Sequence, residues 1–140
     1  MLFRSLTYGA PIALETAKKI AAAATAEAKK NNFTMVIAIV DSSGTLTYLE
    51  KIDGTQIASV NIAIGKARTA NNLKRPTKVL EDAVAGGRNA LLSLPDAVLI
   101  EGGIPLIVEG KIIGAIGVSG GTSQQDAQVA DAGIAALKAK

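Results

Sequence analysis

Gly117-Val118-Ser119-Gly120-Gly121 reproduces the G-x-S-x-G spacing of a nucleophile elbow, between an apolar run and a helical one. A serine at that bend needs a base to take its proton, and the usual base is imidazole. The chain holds no histidine. Lysine is the remaining base, with Lys66 the nearest candidate. The elbow match is therefore rejected, and the segment reads as a strand-to-helix bend that requires small residues. The same bend suits a second chemistry. Glycines ahead of a helix expose N–H groups, and the helix N-terminus favours negative charge. Gly120, Gly121, Thr122 and Ser123 form either a cradle for a carboxylate or phosphate, or a tight turn with a self-satisfied cap.

Other polar groups extend this reading. Lys66 and Thr69 stand one turn apart on a helical pattern, with Arg68 elsewhere on its circumference. Arg75 follows, in Arg75-Pro76-Thr77, where proline and threonine also account for a helix start. Glu101 precedes Gly102-Gly103 and is the one carboxylate of that turn. Lys66, Thr69, Arg75 and the 120–123 bend are the expected ligand contacts; Lys66 and Glu101 are the candidates for proton transfer. Asp41 and Asp53 bracket a hairpin and read as turn formers. Cysteine is absent as well, which removes disulfides, thiolate catalysis and zinc–thiolate sites. No metal site is expected.

These groups must be carried by a small set of elements. Thr7 to Asn31 reads as a first helix, with Pro11 in its first turn. Thr34–Val40 and Thr45–Lys51 read as a hairpin around Asp41-Ser42-Ser43-Gly44. Gln56–Asn72 is a second helix, with Ile57, Val60, Ile64 and Ala67 at helical spacing, and Lys78–Ala85 a short third one capped by Thr77. Three strands, Ala97–Glu101, Ile104–Glu109 and Ile112–Ser119, are expected as a meander. Ser123, with Asp126 three residues on, is the expected cap of a last helix reaching about Ala136. The order α-β-β-α-β-β-β-α predicts an α+β domain, a five-stranded antiparallel sheet flanked by helices.

The whole chain, residues 1–140, is expected to form one domain. Apolar residues make up 49% of it, yet only six are aromatic or methionine, so the core must be built from Ala, Val, Ile and Leu. The net charge of +3 is scattered and no aromatics interleave with the basic residues, which argues against nucleic acid. The apolar stretch from Ala97 to Val118 is broken by Glu101, Pro105, Glu109 and Lys111, which argues against a membrane span. No secretory signal is visible, and a cytoplasmic location is expected. A mean hydropathy of +0.31 points to buried subunit surfaces.

In order along the chain, Ile39-Val40-Asp41-x-x-Gly44, Asp53-Gly54, Lys66-Ala67-x-Thr69-Ala70, Arg75-Pro76-Thr77, Gly102-Gly103-x-Pro105 and Gly114-Ala115-Ile116-Gly117-Val118-Ser119-Gly120 followed by Asp126 resemble the GlcG/HbpS family. That family includes haem-binding HbpS, the C-terminal domain of PduO and the OrfY proteins. The resemblance implies a profilin-like fold and homo-oligomers. It implies a small ligand: an organic acid, a diol-pathway metabolite or a tetrapyrrole such as haem. Haem needs an axial ligand, and here Tyr8, Tyr48, Met35 and a threonine or lysine remain. Three readings stand open: a ligand-binding accessory protein, a small lyase or isomerase acting on a hydroxy acid or aldehyde, and a structural oligomer.

Overall fold

A computed structural model describes residues 5–139. The elements run β1 (Thr7–Tyr8), α1 (Leu14–Lys30), β2 (Val36–Asp41), β3 (Leu46–Lys51), α2 (Ser59–Asn72), α3 (Thr77–Ala85), β4 (Gly103–Val108), β5 (Lys111–Ser119) and α4 (Ser123–Lys138). A 3-10 turn, Asn89–Ser93, lies between α3 and β4. β5 is the spine of the sheet. It pairs antiparallel with β4 on one side and with β2 on the other, and β3 closes that edge beyond β2. Lys111 and Ile112 of β5 take up β1, in parallel.

The α+β class and the five strands agree with the sequence expectation, but the identity of one strand does not. Ala97–Glu101 is not a strand. The Val98 N–H donates to Thr69 Oγ1 (2.9 Å), so part of that backbone is satisfied by an α2 side chain and not by a ladder. The fifth strand is β1, cut from the start of the expected first helix. Pro11 disfavours helical backbone in the residue before it, and α1 begins only at Leu14. The sheet is therefore antiparallel except for one short parallel pair, and the order is β-α-β-β-α-α-β-β-α. α2 starts at Ser59, three residues later than expected. Pro76, not Thr77, caps α3. Thr122, not Ser123, caps α4: its Oγ1 accepts from Gln125 N–H (3.2 Å) while Gln125 Oε1 accepts from Thr122 N–H (3.0 Å).

β2 explains the layering. It is apolar on both faces, as a central strand must be. Ile37 and Ile39 join Ile20, Ala24, Ile116, Val118 and Val129 beneath α1 and α4. The alternate residues Val36, Ala38 and Val40 meet Ala63, Ala67 and Ala70 of α2 on the other face. Fully burying each large aliphatic side chain contributes roughly 1.5–3 kcal/mol. The α2 face is thin because its contacts are alanines and glycines. A Cβ at Gly117 would collide with the Ala63 carbonyl and lie 2.6 Å from Ala67 N, so α2 rests directly on the β5 backbone. At the end of α1, Asn32 adopts φ 60°, and Phe33 N–H returns to the Ala28 carbonyl (2.8 Å), turning the chain into β2.

Candidate functional site

α2 carries polar side chains out of both flanks of this thin layer. In its middle, Lys66 is 2% exposed. Its ammonium donates to the Val118 carbonyl (2.9 Å) and to Asp126 Oδ2 (2.9 Å). The other oxygen of Asp126 accepts from the Gly121 N–H (2.9 Å). Burial pushes the Asp126 carboxyl up from its ordinary value, against the Lys66 ammonium and the Gly121 N–H, which pull it down. Gly102 closes over the pair: a Cβ there would lie 2.9 Å from Lys66 Nζ. Lys66 and the 120–123 bend are thus brought together, but through Asp126, which occupies the space between them. Asp126, expected as the second half of a cap, is the partner of Lys66. The capping pattern in the sequence offered an alternative local role for this carboxylate, and only the fold reveals its distant cation.

One turn on, Thr69 is also buried, its hydroxyl donating to the Gly65 carbonyl (2.7 Å) while accepting from Val98 N–H. It forms part of the floor of an open cleft of about 480 Å³ between the C-terminal half of α2 and the loop ahead of β4. Arg68, Asn72, Asp96 and Pro95 are the other principal lining residues. Arg68 Nε donates to the Gly44 carbonyl (3.1 Å), which anchors the guanidinium against the β2–β3 turn. Asp96 sits at φ 57°, the left-handed conformation aspartate tolerates better than most residues. Among the described residues neither Arg68 nor Asp96 has an ion-pair partner. The cleft therefore has one cation and one anion among its lining residues, Arg68 from α2 and Asp96 from the loop ahead of β4.

The remaining expected residues lie outside this lining. Arg75 follows the end of α2, its Nε donating to the Leu73 carbonyl (2.8 Å). Glu101 is half-buried, its N–H directed to Glu81 Oε1 (3.4 Å). Gly120 packs on the Thr34 carbonyl, and Gly121 and Thr122 lead into α4 at Ser123, with the Thr122 and Gly121 N–H groups already bonded within the chain. Ser119 Oγ donates to Ser59 Oγ (3.1 Å) and is buried, so the elbow-like serine meets another hydroxyl and no base. Arg68 was recognisable as polar on α2. Asp96 and Asn72 carried no sequence signal beyond ordinary turn and helix-end residues.

An α+β domain of profilin-like architecture, with a glycine-seated helix and a charged cleft along its flank, is the class this geometry defines. The chain belongs to the HbpS-like family: the model of that family, described as haem degrading protein HbpS-like, matches residues 12–135. Protein GlcG of Escherichia coli K12 is 44% identical over 105 residues, 75% of this chain and 78% of that protein. The crystal structure of Klebsiella pneumoniae ORFY superposes with a TM-score of 0.89 at 30% identity, covering 100% of this chain and 99% of that one. The crystal structure of a PduOC:heme complex gives 0.82 at 31% identity, over 90% of this chain and 94% of that one.

Proposed function

We propose that this chain is a small-ligand-binding accessory protein whose ligand is a short organic acid bearing a hydroxyl or similar donor. The observation that carries this is that Arg68 and Asp96 line one cleft, each without an ion-pair partner among the described residues. A guanidinium held at Nε presents its remaining N–H groups to a carboxylate. A carboxylate such as that of Asp96 accepts hydrogen bonds, so it suits a ligand hydroxyl. Buried Thr69 gives the cleft a rigid floor. Homo-oligomers and a cytoplasmic setting belong to the same proposal; no helix among the described residues is long and apolar enough to cross a membrane.

That a relative of this fold forms a haem complex supports ligand binding as the general role. Four side chains that could serve a haem as axial ligand are already engaged within the fold. Imidazole and thiolate are absent from the chain. Met35 is fully buried in the core, the Tyr8 hydroxyl donates to the Asn71 carbonyl (2.6 Å), and that of Tyr48 donates to Glu50 Oε1 (3.0 Å). Lys66 is already paired with Asp126. For an enzyme, neither Lys66 nor Glu101 lines the cleft.

Calorimetric titration with short hydroxy acids and their deoxy analogues tests the reading. Saturable binding is expected, weakened at least tenfold in Arg68→Gln and selectively for the hydroxylated acids in Asp96→Asn, with both variants folded by circular dichroism. Binding indifferent to both substitutions, no binding at all, or a Soret shift on adding haemin to the wild-type protein would each overturn it.

A further inference from the structure

Asn72 lines the same cleft as Arg68 and Asp96, and its amide is held in one orientation. Its Oδ1 accepts from Asn71 Nδ2 (3.1 Å), which also donates to the Ser42 carbonyl (3.1 Å). Turning the Asn71 amide over would set its oxygen against two acceptors, and turning the Asn72 amide over would set two donors together. Asn72 Nδ2 is thereby fixed as a donor, and nothing among the described residues accepts from it. Asn71 itself is 1% exposed, and its own Oδ1 has no hydrogen-bond partner among the described residues. A buried acceptor left unsatisfied weakens a fold, so stability alone does not account for this asparagine. What its side chain does is join the β2–β3 turn to Asn72.

The same turn sets the other donor. The Gly44 carbonyl accepts from Arg68 Nε (3.1 Å), and Gly44, at φ 82°, comes so close to α2 that a Cβ on it would lie 3.0 Å from Asn72 Oδ1. Arg68 and Asn72 are four residues apart on α2, hence neighbours on one face with Cβ atoms roughly 6 Å apart. Two donors so placed suit the two oxygens of one carboxylate. Among the residues lining the cleft, Arg68 is the one cation and Asp96 the one anion. Asn72 adds a hydrogen bond and no charge. A second carboxylate on the ligand would find no further cation in the lining and would be repelled by Asp96.

We infer that the ligand is a monocarboxylic hydroxy acid whose carboxylate is shared between Arg68 and Asn72, with Asn71 as the residue that positions the Asn72 amide. The inference rests on the reading of this cleft as an organic-acid site, and adds to it the number of carboxylates and a second contact.

Calorimetric titration with lactate, lactamide and malate tests it. The wild-type protein should bind lactate at least tenfold more tightly than malate, which carries a second carboxylate, and than lactamide, which lacks the charge. Asn72→Ala, at an exposed position, should weaken lactate about fivefold, the loss of one hydrogen bond. Asn72→Asp should weaken lactate further and leave lactamide no weaker, because an aspartate accepts from an amide and repels an acid. Simple damage to the cleft would weaken both alike. Asn71→Ala should weaken lactate binding, yet have no further effect in the Asn72→Ala background, since it acts through Asn72. A purely structural role would weaken both backgrounds. Circular dichroism checks that each variant is folded, and if Asn71→Ala does not fold, the Asn72→Asp selectivity decides alone. Lactate binding that requires Arg68 and Asp96 but ignores Asn72, or malate bound as tightly as lactate, would overturn this inference and leave the organic-acid reading standing. A wild-type protein that binds no lactate overturns it too, and the organic-acid reading falls with it only when the other short hydroxy acids fail as well.

Discussion

The Lys66 ammonium lies 2.9 Å from Asp126 Oδ2 with the two side chains 2% and 4% exposed, so one buried ion pair joins the middle of α2 to the first turn of α4 past the end of β5. Both groups left water to make it. Their mutual attraction is returned only while each keeps its other partners, the Val118 carbonyl and the Gly121 N–H. The pair holds together helices that lie on opposite faces of the sheet.

Removing one member should therefore be far worse than removing both. Lys66→Met is expected to cost about 3–5 kcal/mol in urea denaturation, because a buried carboxylate is left without its cation. Lys66→Met combined with Asp126→Leu should recover most of that loss. A single variant as stable as wild type would mean that the pair contributes no tie between the helices.

Asp41 makes the stability depend on acid. Burial alone would raise its carboxyl, but the Ser43 hydroxyl and the N–H groups of Thr45 and Ser43 outweigh that and hold it below its ordinary value of 3.8. A carboxyl whose value is lowered by folding stabilises the protein above its unfolded value, and that contribution is lost as pH falls through the folded one. Wild-type stability should thus decline with acid below about pH 4. Asp41→Asn, which keeps an oxygen for the turn, should show a shallower decline when melting temperature is followed against pH. Identical acid profiles for the two proteins would rule this contribution out.

Gly117 sets the distance between α2 and the sheet. Its missing Cβ leaves the space occupied by the Ala63 carbonyl, and backbone cannot swing aside as a flexible side chain does. Gly117→Ala should destabilise by at least about 1–3 kcal/mol through overpacking. Calorimetry should show a lowered melting temperature, and the Arg68–Asp96 cleft should bind its ligand less tightly as α2 is displaced. An unchanged melting temperature would show that α2 seats itself by other means.

Period and punctuation in the chain were enough to locate the hairpin around Asp41–Gly44, the helix bearing Lys66 and the last strand, because those patterns are local. The cap of α4 was misplaced by one residue, since Thr122 and Ser123 are both hydroxylated and only the reciprocal bond with Gln125 separates them. Ala97–Glu101 read as a strand because Val, Leu and Ile follow one another there. Thr69, twenty-nine residues away from Val98, took one of the backbone donors. Thr7–Tyr8 became a strand because β5 extends past β2 and offers Lys111 and Ile112 as partners.

By itself the amino-acid sequence determined that this protein works without imidazole or thiol, that its core is aliphatic, and that glycines line the last strand and the bends beside it. Those are properties of composition and of neighbours along the chain. Only the tertiary structure decided that Lys66 is consumed by Asp126 and that Arg68 and Asp96 share a cleft. Both facts are meetings of residues distant in sequence, and their geometry is set by α2 settling onto a strand that has no side chain at Gly117 to hold it off.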